Sequence, residues 1–447
     1  MGIGKAAARR RGILVVLDGL GDHGHAMLQG RTPLMAAHTP NLDRLAALGM
    51  NGLYHASLQG VALPSEIAHF LMFGYELADF PGRGYLEALG ANLSVTDDDV
   101  ALLGRLFCVQ EEAGQLILTV EDPQVDTATC LALQREIQHF QAHGVDVEFI
   151  PTKGIQGLVR LRGPVSPDIT DSNPIQEGRP LMQVLPLAGR EADPAVQQTC
   201  RALNDYLLWT HRILSQHPLN RRRQARGLPP LNAVGLQRPG RYKPILSFAD
   251  KWGLQPLALA TGPLYRGLSQ YLGMTLLPVT DSANPEVDLR ERLELARGLA
   301  DFDFVYIHTK APDVAAHTKD PHHKQRVIAQ LDRAFAFALR AIAPDPNLLL
   351  VITADHSTNS AGAMIHSGET VPLTMVGAFT RRDGVSRFDE VSCAGGALGL
   401  VRGAELMYLI LNFLDRGKLF GLRDAPVDQP YTPGPATPLL LPPDPLP

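Results

Sequence analysis

Acidic and imidazole side chains directly follow a short apolar run in the C-terminal half of the chain. Residues 351–354 read Val-Ile-Thr-Ala, Asp355 and His356 come next, and His366 follows ten residues later. A buried parallel strand delivers ligands at its carboxyl end in this way. Carboxylates and imidazoles together suit manganese or zinc. We therefore predict that Asp355, His356 and His366 belong to a two-metal site.

Two other stretches offer ligands of the same kind. Residues 12–17 predict a buried strand that ends at Asp18, although an acid in an ordinary strand-to-loop turn is the alternative. Residues 304–307 predict another strand, followed by Asp313 and His317. Their i, i+4 spacing lets both side chains reach one ion from a helical turn. The same spacing also occurs in polar helix pairs that bind nothing.

Ser65 opens a helical run and has two interpretations. It can be the helix N-cap, with Glu66 complementing the helix dipole. It can instead be a nucleophile, because a helix N-terminus stabilises a phosphorylated or metal-bound oxygen. In a two-metal site, the ions would activate this hydroxyl and stabilise a phosphoryl group during in-line displacement. The residues of this predicted site are Asp18, Ser65, Asp313, His317, Asp355, His356 and His366.

The composition is that of an ordinary globular protein. The chain has 447 residues, 45% of them hydrophobic, and a formal net charge of -5, which gives no sign of nucleic-acid binding. The four cysteines show no CxxC pairing, so we expect reduced thiols in a cytoplasmic protein. We find no signal peptide and no apolar stretch of membrane-spanning length. The oligomeric state cannot be read from the sequence.

The pattern of predicted elements changes twice along the chain. Residues 1–91 and 242–424 alternate strands and helices, which predicts an α/β fold with a doubly wound, mainly parallel sheet. Residues 92–241 predict an inserted α+β module, in which residues 130–143 read as a helix. Residues 425–447 are rich in proline, and we expect either a disordered tail or a strap across the surface.

The residues and the order of these motifs resemble those of the alkaline phosphatase superfamily, and most closely those of the archaeal-type, cofactor-independent phosphoglycerate mutases. The resemblance spans nearly all of residues 12–423. The matching stretches are residues 17–22, 32–34, 39–43, 74–75, 82–84, 87–88, 310–313, 353–358, 366–368 and 402–403.

The resemblance implies two metal ions, manganese above all, with zinc or magnesium as alternatives. It assigns Asp18, Ser65, Asp355 and His356 to one ion, and Asp313, His317 and His366 to the other. Ser65 would take the phosphoryl group from 3-phosphoglycerate and return it to the 2-hydroxyl of the retained glycerate. The inserted module would close as a lid that supplies cations and excludes water.

The chain departs from the family pattern where a substrate would be held. Pro64-Ser65-Glu66 replaces Gly-Ser-Asp, and residues 120–125 replace an Asp-Arg-Arg-Ala-Gly-Arg motif. Ile155-Gln156-Gly157 replaces His-Arg-Gly, and one arginine is missing from residues 398–403. Arginine forks are the usual grip on carboxylates and phosphates. The candidate replacement cations are Arg83, Arg105, Arg160, Arg266, Lys310 and Arg402.

Three hypotheses follow for a small phosphorylated substrate. The first is a phosphoglycerate mutase whose substrate cations are Arg83, Arg266, Lys310 and Arg402, among others. The second is a metal-dependent phosphatase or phosphotransferase for another phosphomonoester, with the same nucleophile and metals. The third is a non-catalytic descendant that binds a ligand or partner. The complete set of predicted ligands argues against the third hypothesis.

Overall fold

The computed structural model describes residues 9–441 of the chain. Within them, the strands are β1 (Arg11–Leu17), β2 (Met50–His55), β3 (Val100–Glu112), β4 (Gln115–Val120), β5 (His139–Ala142), β6 (Val145–Pro151), β7 (Gln156–Arg162), β8 (Ala233–Gly240), β9 (Pro256–Leu259), β10 (Thr275–Leu276), β11 (Phe304–Thr309), β12 (Leu348–Thr353), β13 (Ser357–Thr358), β14 (His366–Ser367), β15 (Val371–Val376) and β16 (Gly399–Arg402).

The α-helices of the same residues are α1 (Pro33–Ala36), α2 (Pro40–Leu48), α3 (Ser65–Met72), α4 (Arg83–Gly90), α5 (Thr127–Glu136), α6 (Pro194–Gln216), α7 (Pro218–Ala225), α8 (Phe248–Trp252), α9 (Pro263–Tyr271), α10 (Pro285–Gly298), α11 (Ala311–His317), α12 (Pro321–Ala341) and α13 (Glu405–Phe413). Several begin with proline at a first-turn position behind an acidic or amide cap. Asp193, Asn284 and Asp320 accept such capping bonds, because the first backbone N–H groups of a helix need acceptors.

The chain divides into two compact units. The first contains the residues up to Phe80, Ile245–Gly262 and the residues from Ser269 onward, and the second contains Pro81–Pro244 and Pro263–Leu268. The sequence-based limits for the insert, 92–241, differ from these at both ends. Helix α4 belongs to the second unit, where it packs against β3 and β8. Gly90 and Gly267 let the backbones of α4 and α9 approach closely.

An eight-stranded sheet forms the centre of the first unit, in the order β10-β9-β11-β1-β12-β15-β2-β16. Five of its strand pairs are parallel, and only β12-β15 and β15-β2 are antiparallel. Strands β1, β11, β12 and β15 are buried along their whole lengths. The predicted α/β fold with a mainly parallel sheet is confirmed.

The second unit has an antiparallel sheet in the order β4-β3-β7-β6-β5, with β8 also paired to β3. Its core lies between this sheet and the helices α5 and α6. The prediction of a helix over residues 130–143 is wrong at its C-terminal end. Helix α5 ends at Glu136, and His139–Ala142 pairs with β6 as strand β5.

The first part of the predicted tail packs within the first unit, and residues 442–447 lie outside the described part of the chain. Gly417 and Tyr431 form a β-bridge, and Lys418 Nζ contacts the carboxylates of Asp424 and Asp428. The Tyr431 ring packs against Gly253. Among residues 9–441, no helix combines the length and the apolar character that crossing a bilayer requires.

Candidate active site

Two neighbouring parallel strands bring acids from distant parts of the sequence together. Strand β1 pairs with β12 so that Val16 lies beside Thr353, and both strands then end at the same edge of the sheet. Asp18 follows β1, and Asp355 follows β12. The backbone N–H of Gly19 donates to Asp355 Oδ1 at 3.0 Å. The two carboxylates are therefore held side by side, and both are buried.

A helix and a short strand deliver a second set of ligands. Helix α11 begins just after β11 and carries Asp313 and His317, whose Nε2 lies 3.3 Å from Asp313 Oδ1. His366 lies on β14 with its Nε2 3.6 Å from the same oxygen. Its Nδ1 is 2.8 Å from the carbonyl oxygen of Leu63, which sets the ring orientation.

Ser65 is the first residue of α3, and Pro64 is the N-cap. The N-cap interpretation of Ser65 is therefore wrong, because its backbone is already helical. Its Oγ instead lies 2.9 Å from Nε2 of His356. The hydroxyl thus lies at a helix N-terminus and beside an imidazole.

The seven predicted residues form two adjoining clusters. In the Ser65 cluster (Asp18, Ser65, Asp355, His356), His356 Nε2 lies 3.1 Å from Asp355 Oδ2 and 3.7 Å from Asp18 Oδ1. The Asp313 cluster (Asp313, His317, His366) has donor atoms that all lie within 4.8 Å of one another.

Thr358 and a ring stack join the two clusters. The Thr358 hydroxyl donates to Asp313 Oδ1 at 2.8 Å and lies 3.1 Å from His356 Nδ1. The rings of His356 and His366 stack with centroids 3.9 Å apart. Because the same atoms link both ligand sets, two cations bound here would be close neighbours.

The donor set fits divalent cations. Asp355 Oδ2 is buried, and imidazole nitrogens of His356 and His69 lie 3.1 and 3.3 Å from it. Buried carboxylates need positive charge nearby, which protonated imidazoles or bound metal ions can supply. The Asp313 cluster, and also Asp18, Asp313 and His356 together, have the compactness of a metal site.

Neighbouring charges shift the pKa values of residues in the Ser65 cluster. Burial and Asp355 push the pKa of Asp18 upward, but Lys310 and His308 outweigh them and hold it below its ordinary value. Burial opposes a charged His356, yet Asp355, with smaller help from Asp18, raises its pKa to about 9. The converging carboxylates therefore favour a positive charge at this point, from a proton on His356 or from a bound cation.

The predicted substrate cations lie in different places. Lys310 Nζ lies 3.0 Å from Asp313 Oδ2 and 3.7 Å from Asp18 Oδ2, so it borders both clusters. Arg402 is exposed at the end of the edge strand β16, where its N–H donates to Glu405. Arg83 and Arg266 belong to the second unit, and Arg83 pairs with Glu87 within α4.

Two buried histidines next to the Ser65 cluster are absent from the predicted set. His308 Nε2 lies 2.9 Å from Asp18 Oδ2, and His69 Nδ1 lies 3.3 Å from Asp355 Oδ2. A signal for each was present, because His308 directly follows a predicted strand and His69 follows Ser65 by one helical turn. Neither spacing distinguishes a functional imidazole from one buried in a core.

Comparisons with known proteins show which family this chain resembles. Residues 46–220 match the family model of 2,3-bisphosphoglycerate-independent phosphoglycerate mutase. A relative named 2,3-bisphosphoglycerate-independent phosphoglycerate mutase 2, from Methanocaldococcus jannaschii, is 39% identical over 92% of this chain and 95% of its own length. A phosphoglycerate mutase of the same kind from Methanopyrus kandleri is 32% identical over 92% of this chain and 98% of its own.

Solved structures lead to the same family. A cofactor-independent phosphoglycerate mutase from Thermoplasma acidophilum is 28% identical with a TM-score of 0.61, covering 91% of this chain and 100% of its own. A Pyrococcus horikoshii protein is 25% identical with a TM-score of 0.75, covering 93% and 100%. The resemblance read from the motifs is confirmed. The chain belongs to the family of 2,3-bisphosphoglycerate-independent phosphoglycerate mutases.

Proposed function

We propose that this protein interconverts 3-phosphoglycerate and 2-phosphoglycerate through a phosphoserine at Ser65, with the help of two divalent metal ions. The observation that carries the proposal is the position of Ser65 Oγ, 2.9 Å from His356 Nε2. The same nitrogen lies 3.1 Å from Asp355 Oδ2 and 3.7 Å from Asp18 Oδ1. The activity that the relatives' names state is the same one.

The two clusters divide the ligands. Asp18, Ser65, Asp355 and His356 would hold one ion, and Asp313, His317 and His366 would hold the other. Mixed carboxylate and imidazole ligands favour manganese, with zinc and magnesium as alternatives. When bound, such ions lower the pKa of a hydroxyl and neutralise charge on phosphoryl oxygens during in-line displacement.

Ser65 carries the transferred group. Its Oγ loses a proton and forms a bond to phosphorus while the bond from phosphorus to the 3-oxygen of the substrate breaks, and the glycerate 3-oxygen takes up a proton. The retained glycerate then presents its 2-hydroxyl, which loses its proton and forms the new bond to phosphorus as the Ser65 bond breaks. The N-terminus of α3 favours the anionic phosphoserine between these steps.

Lys310 is the substrate cation that the geometry supports best, since it borders both clusters and its side chain is 40% exposed. We also propose Arg83, Arg266 and Arg402 as substrate-binding residues, and the inserted module as a lid that keeps water from the phosphoserine. A cytoplasmic location is likewise a proposal, supported by four buried free cysteines.

One observation favours the alternative, a phosphatase or phosphotransferase for another phosphomonoester. Two candidate replacement cations of the insert are already engaged within their own unit. Arg105 lies 3.6 Å from Glu121 and 3.2 Å from Asp122, and Arg160 contacts Glu148. Paired guanidinium groups grip a phosphate less well, because the carboxylate must first be displaced.

An assay with paired substrates separates the two functions. Manganese-loaded protein is given 3-phosphoglycerate with enolase as the coupling enzyme, and in parallel a panel of phosphomonoesters with detection of free phosphate. The mutase proposal expects enolase-coupled turnover without phosphate release, absent in Ser65→Ala and retained in Ser215→Ala. Phosphate release from other esters, without interconversion of the phosphoglycerates, would replace the mutase by the alternative.

A further inference from the structure

We propose that His308 and His69 are positioning residues for Asp18 and Asp355, each holding one carboxylate of the Ser65 cluster in the orientation that binds a divalent cation. The inference rests on the proposed function for its metal site. It concerns the affinity for the ion, which is measured without substrate or turnover.

His308 lies on the strand next to β1, whose end carries Asp18. It lies on β11 beside Val16 of β1, is fully buried, and directs Nε2 to Asp18 Oδ2 at 2.9 Å. Its carbonyl oxygen accepts a 2.7 Å hydrogen bond from buried Arg292, which holds this end of β11 from the other side. The imidazole therefore has little freedom to turn away from Asp18.

His69 approaches the site from the nucleophile helix. It is fully buried, and its Nδ1 lies 2.8 Å from the Ser65 carbonyl oxygen and 3.3 Å from Asp355 Oδ2. Its ring stands edge-on to that of His308, with centroids 5.4 Å apart. The two neighbouring imidazoles thus contact both carboxylates of the Ser65 cluster.

These contacts determine which oxygen of each carboxylate faces His356 Nε2. With Oδ2 of Asp18 held by His308, it is Oδ1 that lies 3.7 Å from His356 Nε2. With Oδ1 of Asp355 held by the Gly19 amide, Oδ2 is the oxygen that faces His69 and His356. Groups that hydrogen-bond to metal-binding carboxylates and so orient them contribute about 10- to 100-fold to metal affinity.

His308 contacts its carboxylate through Nε2, whereas His69 contacts its carboxylate through Nδ1. The same pair of substitutions should therefore have opposite effects at the two positions. A glutamine amide can place a donor where His308 Nε2 lies, and an asparagine amide where His69 Nδ1 lies. We expect His308→Gln and His69→Asn to bind Mn²⁺ like the parent. His308→Asn and His69→Gln, which displace the donor, should bind about 10- to 100-fold more weakly.

The measurement is a calorimetric titration of metal-stripped, full-length protein with Mn²⁺. A His366→Ala background removes a ligand of the Asp313 cluster, so that the Ser65 cluster dominates the signal. Thermal melts of the metal-free variants identify those that are folded. A purely structural role would lower the melting temperatures without reproducing the crossed pattern of affinities.

Equal affinities for all four variants would overturn the proposal, as would equal losses in the glutamine and asparagine variants at each position. A parent that binds no Mn²⁺ would overturn it too. A parent that binds Mn²⁺ with the crossed pattern, yet fails to interconvert the phosphoglycerates, would refute the mutase proposal and leave this inference standing.

Discussion

Oγ of Ser65 and Nε2 of His356 lie 2.9 Å apart, although 291 positions separate the two residues in the chain. Helix α3 supplies the hydroxyl and the end of β12 supplies the imidazole. The distance leaves the hydroxyl within reach of the acids that meet at the same sheet edge.

His366→Ala should remove one of two bound Mn²⁺ equivalents. His366 belongs to the Asp313 cluster, and its Nε2 lies 3.6 Å from Asp313 Oδ1. The Ser65 cluster keeps all four of its residues in this variant. Metal analysis after dialysis should give half the parent's manganese content, and loss of both equivalents or of neither would contradict the division into two clusters.

Gly19→Ala should weaken metal binding as well as folding. Gly19 has a φ of 65°, and an added Cβ would lie 2.5 Å from Thr358 Oγ1 and 2.8 Å from Asp313 Cβ. Gly30→Ala is the matched control, because its φ is 78° and nothing lies within 4 Å of the added carbon. Both should lose about 1 kcal/mol from backbone strain.

Only Gly19→Ala should also raise the dissociation constant for Mn²⁺, since only there does the added carbon displace a site residue. Chemical denaturation and calorimetric titration of both variants check the two effects separately. Equal metal affinities in the two variants would mean that the site tolerates the displacement.

Removing the metal should destabilise the protein. A ligand that binds only the folded state adds about 2.7 kcal/mol at a free concentration 100 times its dissociation constant. Chelator should therefore lower the melting temperature, and Mn²⁺ should restore it. The double variant Asp355→Asn with His366→Ala should respond much less, and an undiminished response in that variant would place the stabilising ion elsewhere.

Stability should fall as the pH rises from about 4.5 toward 7 because of Glu390. Burial raises the pKa of this carboxyl to about 7 from its ordinary value of 4.5, although Thr32 donates a hydrogen bond to it. Between these values the folded protein holds a proton that the unfolded chain has lost, so deprotonation at higher pH penalises the folded state.

Glu390→Gln should therefore raise the urea midpoint at pH 8 and leave it nearly unchanged at pH 4.5, with a gain on the order of 1–2 kcal/mol at pH 8. The exposed Glu136→Gln is the control and should shift neither midpoint. A destabilised Glu390→Gln at pH 8 would show that the carboxylate is favourably paired.

The sequence was sufficient to predict where the acidic residues that follow buried strands would lie. Asp18, Asp313 and Asp355 each come after an apolar run, and the carboxyl ends of neighbouring parallel strands must meet at one sheet edge. Ser65 could not be decided in the same way, because an N-cap serine and a helix-start nucleophile look alike until the backbone shows which residue begins the helix.

Other features depended on tertiary contacts that leave no local pattern. Residues 139–142 carry no strong strand signal and become β5 because β6 offers an edge to pair with. No local pattern shows that His69 and His308 lie beside Asp355 and Asp18. The pairing of Arg160 with Glu148 across two strands was equally invisible in the sequence.

The most direct test of the central claim is identification of the phosphorylated residue during turnover. Manganese-loaded protein is mixed with 3-phosphoglycerate carrying labelled phosphate, quenched during turnover, digested and analysed by mass spectrometry. The label should lie on Ser65, in the peptide that begins α3, and should be absent from Ser65→Ala. Continued interconversion with label on another residue, or with an active Ser65→Ala protein, would contradict the account.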